Sequence, residues 1–170
     1  MEYNLEYLEN LIRLQSKTAQ DIAERRWAWI SDLDPKTVLD YGCGAGWFRA
    51  FRTNGAWVDS YDIGPYPQTG IRRKNYDVVC FFDVLEHMKT LEEVSGVVVM
   101  AKYVAGTVPI IQDCRPLQTW KHYKPGEHFQ YWSEAGFEAA MEAIGLVKIA
   151  HGWVECPPRE DIMSFKYRRV

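Results

Sequence analysis

The sequence lacks several features that define whole classes of protein. Its four cysteines lie far apart, at Cys43, Cys80, Cys114 and Cys156. The absence of a Cys-x-x-Cys pair argues against a zinc site of the usual ligand spacing, and the low cysteine density argues against a disulfide framework. The N-terminus has no signal-peptide layout, and the longest apolar stretch, residues 97–111, contains Lys102 and is too short to cross a bilayer. We therefore expect a soluble cytoplasmic protein without a membrane partner.

The chain also lacks an excess of basic residues, with 20 Lys and Arg against 23 Asp and Glu. The formal net charge is −3 and no basic stripe runs along the sequence, which argues against a nucleic-acid partner. Hydrophobic residues make up 47% of the chain and charged residues 25%, as in ordinary globular proteins. A chain of 170 residues is long enough for one sizeable core, so we expect a single domain.

The period of the apolar positions changes along the chain, which predicts alternating helices and strands. Asn4 is a candidate N-cap for a first helix, and further helices are predicted over Thr18–Ser31, Gly46–Thr53, Leu91–Lys102 and Ser133–Ile144. Strands are predicted over Thr37–Tyr41, Ala56–Tyr61, Asp77–Phe82, Val104–Ile111, Leu146–His151 and Ile162–Arg168. This alternation is typical of an α/β fold with a doubly wound, mostly parallel sheet.

The most informative motif lies at the end of the first predicted strand. Asp40, Gly42, Gly44 and Gly46 occur at every second position where this strand turns into a predicted helix. Glycines let a ligand approach the backbone closely and allow positive φ angles. The N–H groups of a helix N-terminus can hold a carboxylate such as that of methionine, and Asp40 offers a negative charge to an ammonium group.

A second acidic residue, Asp62, lies at the end of the next predicted strand, 20 residues beyond Gly42. At this distance a carboxylate can accept hydrogen bonds from ribose hydroxyls. A dinucleotide site would need a small residue at the position of Trp47, which makes a nicotinamide-dependent oxidoreductase the weaker alternative. A glycine-rich turn without a ligand would not require an acidic residue at this spacing.

Three segments together resemble a known family: Val38–Gly46, Gly55–Asp62 and Tyr76–His87. In this combination the sequence resembles the class I S-adenosylmethionine-dependent methyltransferases, and within them the small-molecule branch whose fourth-strand motif ends in Leu-Glu-His. The resemblance covers about residues 37–150. It implies a Rossmann-like fold, S-adenosylmethionine as cofactor, and methyl transfer to an oxygen or nitrogen of a sugar, lipid precursor or metabolite.

The resemblance also implies roles for individual residues. The loop residues would surround the methionyl part of the cofactor: Asp40, Gly42, Cys43, Gly44 and Gly46. Asp62 would hold the ribose, and Ile63 would lie beside the adenine. Phe82 and Asp83 would border the sulfonium side of the pocket.

One interval departs from the family pattern. Only 14 residues separate Asp62 from Asp77, where the family usually has a helix and a third strand. The segment Gly64–Pro67 does not start a helix smoothly, and too little chain remains for both elements. We expect the sheet to be one strand short at this edge, with Ile63 or Tyr66 covering the adenine.

The expected organisation is one domain over residues 1–170. N-terminal helices would occupy residues 1–33, the cofactor-binding half residues 37–112, and a substrate loop with the C-terminal helix and strands residues 113–170.

An oxygen or nitrogen acceptor often needs a base to take its proton, and histidine suits this role near neutral pH. His122 and His128 lie in a polar, aromatic-rich segment after the fifth-strand position, over the carboxyl ends of the strands, where ligands bind. Either residue is a candidate catalytic base. Either could instead fasten the loop through a hydrogen bond to the backbone.

Asp83, Glu86 and His87 form an Asp-x-x-Glu-His group. In the related ubiquinone-pathway O-methyltransferases a similar group is associated with a divalent metal. One short cluster rarely completes a metal shell, so we favour the interpretation that Glu86 and His87 cap the next helix or bond the backbone, and we expect no metal. The charged residues near the C-terminus are interpreted as solvated surface charge: Arg159, Glu160, Asp161, Lys166, Arg168 and Arg169.

Two kinds of nucleic-acid methyltransferase are excluded by their motifs. Enzymes that methylate adenine N6 carry Asn/Asp-Pro-Pro-aromatic after the fourth strand, where this chain has Phe81–Val84. Cytosine-C5 enzymes need a Pro-Cys nucleophile, whereas Cys156-Pro157 has the reverse order and lies far downstream. The expected partner is therefore a small-molecule acceptor. A module that binds the cofactor without catalysis is the alternative from a different class.

Overall fold

The computed structural model describes residues 5–66, 68–112, 116–157 and 159–170, with side chains from residue 18 onward. In this part of the chain six strands form one mixed sheet, in the order β2-β1-β3-β4-β6-β5. The strands are β1 (Thr37–Tyr41), β2 (Trp57–Tyr61), β3 (Tyr76–Phe82), β4 (Ala101–Pro109), β5 (Leu146–Gly152) and β6 (Ile162–Arg169). The helices are α1 (Leu5–Ile30), α2 (Trp47–Ala50), α3 (Leu91–Val98) and α4 (Glu134–Ala143).

The first four strands are parallel and the last two are antiparallel to their neighbours. β1 pairs with β2 and β3, and β3 pairs with β4, all in parallel. β6 runs antiparallel to both β4 and β5. β3 is buried on both faces, which explains why its sequence is one continuous apolar run. The predicted α/β fold with a mostly parallel sheet is confirmed.

Two buried clusters pack against opposite faces of this sheet. Val79 and Phe81 belong to a cluster that includes side chains of α3 and α4, whereas Val78 and Cys80 belong to one that includes Trp27 of α1. Successive side chains of a strand point to opposite faces, so β3 contributes to both clusters. The sheet is therefore covered on both sides, and its free edges and strand ends are the places left for a site.

The N-terminal segment is one helix, whereas the sequence predicts two. α1 runs without a break from Leu5 to Ile30, because it contains no glycine or proline to separate two helices. Its predicted end is confirmed: a single 3-10 turn, Ser31–Leu33, follows, and Asp34 then leaves helical geometry with φ 43° before Pro35. The predicted Asn4 cap lies outside the described residues. No helix in the described part of the chain combines the length and apolar character needed to cross a bilayer.

Two predicted helix ends are wrong, and β4 spans Ala101–Pro109 instead of the predicted Val104–Ile111. α2 has four residues instead of the predicted Gly46–Thr53, because the backbone leaves helical geometry at Phe51. α3 ends at Val98 instead of Lys102, since Ala101 already pairs with Tyr76 in the sheet. In both cases local helical periodicity extends beyond the point where the chain turns or joins its neighbouring strand.

The sheet edge beyond β2 is reduced, as predicted. Between β2 and β3 the described residues contain neither a helix nor a strand. A short segment runs along β2 instead: the N–H groups of Thr69 and Gly70 donate to the carbonyl of Ser60 at 3.1 and 2.9 Å. The N–H of Ser60 in turn donates to Thr69 Oγ1 at 2.8 Å.

Ser133 caps α4, since its side chain accepts a hydrogen bond from the N–H of Gly136 at 3.2 Å. Ser133→Ala is expected to lower the free energy of unfolding by about 1 kcal/mol, the usual cost of losing an N-cap. Urea unfolding measures this change. Ser133→Asp keeps an acceptor at the cap and should retain most of the stability, so equal losses in the two variants would contradict the capping role.

Candidate functional site

The carboxyl ends of β1 and β2 meet at the glycine loop, residues 42–46. Gly42, Gly44 and Gly46 have φ angles of 78°, 48° and 77°, all in the region that favours glycine. The N–H groups of Gly42 and Cys43 donate to the carbonyl of Tyr61, at 2.7 and 3.0 Å. The loop is thereby fastened to the end of β2. The helix that follows is a single turn, so the predicted contribution of a helix N-terminus is small.

Gly42 and Gly44 differ in what surrounds them. A Cβ atom at Gly42 would lie 2.3 Å from Val84 Cγ2, so this glycine is required by packing. A Cβ atom at Gly44 would meet no described atom within 4 Å. The backbone at Gly44 therefore borders open space, which is what a loop that carries a ligand needs.

Asp62 follows β2 and braces the glycine loop. Its Oδ2 accepts a hydrogen bond from the N–H of Gly44 at 2.8 Å, and its Oδ1 accepts one from the N–H of Gly64 at 2.7 Å. Each carboxylate oxygen has a further lone pair that can accept a hydroxyl hydrogen. The glycine loop and Asp62, which α2 and β2 separate in the chain, are thus joined by a hydrogen bond.

Asp40 lies in β1 just before the loop and is 2% exposed. Its Oδ2 has no hydrogen-bond partner among the described residues. Burial raises its pKa to about 7, the charge of Arg26 opposes this shift, and the charge of Asp62 adds to it. At neutral pH the carboxyl group is therefore about half ionised, and a cation placed beside it would complete its ionisation.

Cys43 lies in the same loop but offers no nucleophile. Burial, and then the negative charges of Asp40 and Asp62, raise the pKa of its thiol to about 12. The thiolate is the reactive form of cysteine, and it is absent near neutral pH at this value. Cys43 contributes its backbone to the loop.

Ile63 and Tyr66, the two residues predicted to cover the adenine, differ in exposure. Ile63 is 94% exposed, next to Asp62. Tyr66 is buried against Gly64, where an added Cβ would lie 2.7 Å from the tyrosine ring. Ile63 is thus the one open to a ligand.

The side chain of Phe82 belongs to the core. Its ring packs 4.8 Å from that of Phe48, and the guanidinium of Arg26 lies 4.4 Å from its centroid. Only its position at the end of β3 places it near the predicted sulfonium side. Its role there stays a prediction.

Asp83 follows β3 with φ 61°, an uncommon backbone geometry for a residue other than glycine. Arg26 Nη2 lies 2.8 Å from its Oδ2, and Arg159 binds both carboxylate oxygens at 2.8 and 2.9 Å. Burial alone would raise the pKa of Asp83, but the charges of Arg159 and Arg26 hold it well below its usual range. Asp83 is therefore ionised at neutral pH and too weak a base to take a proton from an acceptor.

Glu155 completes a partly buried ion cluster with Asp83 and the two arginines. It is fully buried, its Oε1 lies 2.6 Å from Arg26 Nε, and its Oε2 pairs with Arg159. The interpretation of Arg159 as solvated surface charge is wrong. It is also wrong for Lys166, which is 5% exposed and bonds both carboxylate oxygens of Asp32.

Sequence reasoning missed Arg26 and Glu155 altogether. A signal for Arg26 is present, because it lies three residues after Ala23 and four before Ile30, on the face of α1 that turns out to be buried. A charged residue on such a face usually has a partner of opposite charge. Glu155 lies in an irregular segment whose sequence has no comparable periodicity.

A second cluster lies just beyond β3 and consists of Glu86, His87 and His128. Each residue offers one potential ligand atom, and these atoms lie within 4.8 Å of one another. The rings of His87 and His128 stand edge to face with their centroids 4.6 Å apart. Glu86 Oε2 and His128 Nδ1 are buried without a hydrogen-bond partner in the described part of the chain. This set, in which His128 takes the place expected for Asp83, could hold a cation or share a proton.

The pKa values of Glu86 and His128 are shifted in opposite directions. Burial, and then the charge of Asp83, raise the pKa of Glu86 to about 8. Burial, and then the neighbouring His87, lower the pKa of His128 to about 4. At neutral pH the carboxyl group of Glu86 is mostly protonated and the imidazole of His128 is neutral, so His128 can accept a proton without first losing one.

His122 and His128 are held by different parts of the chain. His122 is partly buried, and burial lowers its pKa against the opposing effect of a hydrogen bond to the backbone of Glu160. His87 Nδ1 lies 3.1 Å from the carbonyl of Glu127, which agrees with its predicted backbone bond. The backbone-bond interpretation thus describes His122 and His87, whereas His128 Nδ1 has no such bond.

The structure thus has a glycine loop whose backbone at Gly44 borders open space, and a separate cluster with a neutral histidine just beyond β3. The family model described as "Methyltransferase domain" matches residues 7–151, most of the chain. The chain belongs to this methyltransferase domain family.

Three of the solved structures with a similar fold are methyltransferases. Magnesium protoporphyrin IX methyltransferase from Synechocystis PCC 6803, with bound SAH, has 18% identity and a TM-score of 0.69, covering 99% of this chain and 96% of that chain. The mitomycin 7-O-methyltransferase MmcR has 15% identity and a TM-score of 0.72, and the match covers 99% of this chain and 59% of that chain. The Burkholderia thailandensis 1,6-didemethyltoxoflavin-N1-methyltransferase, with 1,6-didemethyltoxoflavin and S-adenosylhomocysteine bound, has 13% identity and a TM-score of 0.69, covering 95% and 83%. A search of curated proteins finds no match.

Proposed function

We propose that this chain transfers a methyl group from S-adenosylmethionine to an oxygen or nitrogen atom of a small acceptor. The observation that carries the proposal is the open space at Gly44, bordered by Asp62 and preceded in the chain by the buried carboxyl of Asp40. Family membership supports methyl transfer as the reaction. A small acceptor is supported by the names of the solved structures above.

The residues present fit this cofactor. Asp40 has a buried oxygen without a partner, which an ammonium group would satisfy. Gly44 leaves room for the amino-acid part, because a Cβ there would point into open space. Asp62 keeps lone pairs for ribose hydroxyls after binding two backbone N–H groups.

The reaction needs alignment and a proton acceptor. Bound S-adenosylmethionine supplies a methyl group whose bond to sulfur breaks as the bond to the acceptor forms, so much of the rate enhancement comes from holding the two reactants in line. His128 would take the proton that the acceptor loses, because its Nδ1 has no hydrogen-bond partner among the described residues. Its pKa of about 4 makes it a weak base, so it would take this proton only as the bond to the methyl group forms and makes the proton acidic. Its contact with His87 ties it to the end of β3, which favours it over His122.

Calorimetry with S-adenosylmethionine and S-adenosylhomocysteine tests the cofactor assignment, and binding of NADH instead would favour the oxidoreductase alternative. Release of S-adenosylhomocysteine in the presence of hydroxyl- and amine-bearing metabolites tests catalysis. The reduced edge beyond β2 is the observation that favours a binding module without catalysis. Cofactor binding without product release for every acceptor offered would support that second candidate.

The affinity for S-adenosylhomocysteine should depend on pH through Asp40. The pKa of this carboxyl is about 7 without ligand, and only its ionised form attracts an ammonium group, so binding below pH 7 requires release of a proton. Affinity is expected to fall about tenfold from pH 8 to pH 6, since a pH change of one unit below the pKa changes affinity about tenfold. Calorimetry in buffers of different ionisation enthalpy measures both the affinity and the released proton. Asp40→Asn should bind weakly at both pH values without proton release, and an unchanged profile in this variant would contradict the assignment.

A further inference from the structure

Gln68 pairs with the backbone of Asp62 through both ends of its side-chain amide. Asp62 N–H donates to Gln68 Oε1 at 3.0 Å, and Gln68 Nε2 donates to the carbonyl of Asp62 at 2.9 Å. We propose that Gln68 is a positioning residue for the ribose of the cofactor: it acts through Asp62 and does not itself touch the ligand. The inference rests on the proposed function, because it requires that Asp62 binds the ribose.

The location of this pair explains why a side chain is needed. β2 is the edge strand of the sheet, and Asp62 is the first residue after it, so its outward backbone groups have no neighbouring strand to bind. Thr69 and Gly70 bond Ser60 further along the same edge. Gln68 extends this pairing from Ser60 to Asp62, the residue that carries the carboxylate. The segment 68–70 thus supplies hydrogen-bond partners to the outer edge of β2 and to Asp62, as a neighbouring strand would.

Fixing the backbone of Asp62 also fixes its side chain relative to the loop. With its N–H and carbonyl held by Gln68, the carboxylate reaches the N–H groups of Gly44 and Gly64. Without Gln68 the backbone at Asp62 would lose both of these hydrogen bonds, and only the bonds from Gly44 and Gly64 would hold the carboxylate. The carboxylate would then have to be ordered further when the cofactor binds. Such ordering lowers the affinity, but only for ligands that bind the Asp62 carboxylate.

The test compares two ligands in Gln68→Ala: S-adenosylhomocysteine and its analogue without the two ribose hydroxyls. We expect the variant to bind S-adenosylhomocysteine about fivefold more weakly, the effect of losing one or two net hydrogen bonds. Its affinity for the analogue should be unchanged, so that discrimination between the two ligands decreases. In an Asp62→Ala background, Gln68→Ala should have no further effect.

Thr69→Val is the matched control, because it removes a hydrogen bond between the same segment and β2 but leaves the Gln68–Asp62 pair. It should lower thermal stability at least as much as Gln68→Ala and keep the wild-type discrimination between the two ligands. Equal loss of affinity for both ligands in Gln68→Ala, or the same change in Thr69→Val, would overturn the inference, as would no change. Failure of the wild-type chain to bind S-adenosylhomocysteine would instead overturn the proposed function.

Discussion

Gly44→Val is expected to abolish binding of S-adenosylmethionine and S-adenosylhomocysteine while the chain stays folded. A Cβ atom at Gly44 would meet no described atom within 4 Å, and the substitution also places a side chain on a left-handed backbone at φ 48°. It would occupy the space in which the amino-acid part of the cofactor is proposed to lie. Overpacking by several methyl groups costs a few kcal/mol, so calorimetry should show at least about a hundredfold loss of affinity.

Gly145→Val is the matched control for this variant. Gly145 also has a positive φ, 80°, and a Cβ there would likewise meet no described atom within 4 Å. It precedes β5, at the edge of the sheet opposite β2. The two substitutions impose the same kind of backbone strain, but only Gly44→Val should lose the cofactor. Wild-type affinity in Gly44→Val would show that the glycine loop is not the cofactor site.

His128→Ala is expected to lower the rate of methyl transfer about 10²–10⁴-fold, the usual contribution of a general base. Affinity for S-adenosylhomocysteine should not change, because His128 is proposed to face the acceptor. Turnover at saturating cofactor and calorimetry measure the two quantities separately. His128 is 5% exposed, so His128→Asn, which leaves a smaller void, serves as a second variant if the alanine variant is unstable.

His122→Ala is the comparison within the same loop. Its ring is held by the backbone of Glu160, so its loss should change stability more than turnover. The reverse pattern, with low turnover in His122→Ala and normal turnover in His128→Ala, would exchange their roles. Normal turnover in both variants would show that no histidine of this loop is the base.

The parts of the fold and site that were predictable from sequence carry local signals. The apolar run of β3 and the alternating glycines each identify a structure within ten residues. The link between Asp62 and the loop was predictable because a strand–helix–strand unit has a nearly constant length. Helix ends were less predictable, since pairing of Ala101 with Tyr76 in the sheet decides where α3 must stop.

The ion cluster was not predictable because its members come from three distant segments. Asp83 is 57 residues from Arg26 and 76 from Arg159, and neither spacing produces a pattern in the sequence. The same holds for the cluster around Glu86, in which His128 lies beside Glu86 and His87 while the arginines bind Asp83. The bonds of Gln68 to Asp62 likewise follow from a turn with no regular structure.

The two arginines that hold Asp83 lie near opposite ends of the sequence, and this has a consequence for synthesis of the protein. A ribosome releases the glycine loop, β2 and β3 well before it releases Arg159, and chains begin to fold from the N-terminal side. A nascent chain that already contains every proposed cofactor residue would still lack Arg159, which bonds both carboxylate oxygens of Asp83. Asp83 would therefore acquire both of its arginine partners only after residue 159 has been synthesised, although the glycine loop and Asp62 precede that residue.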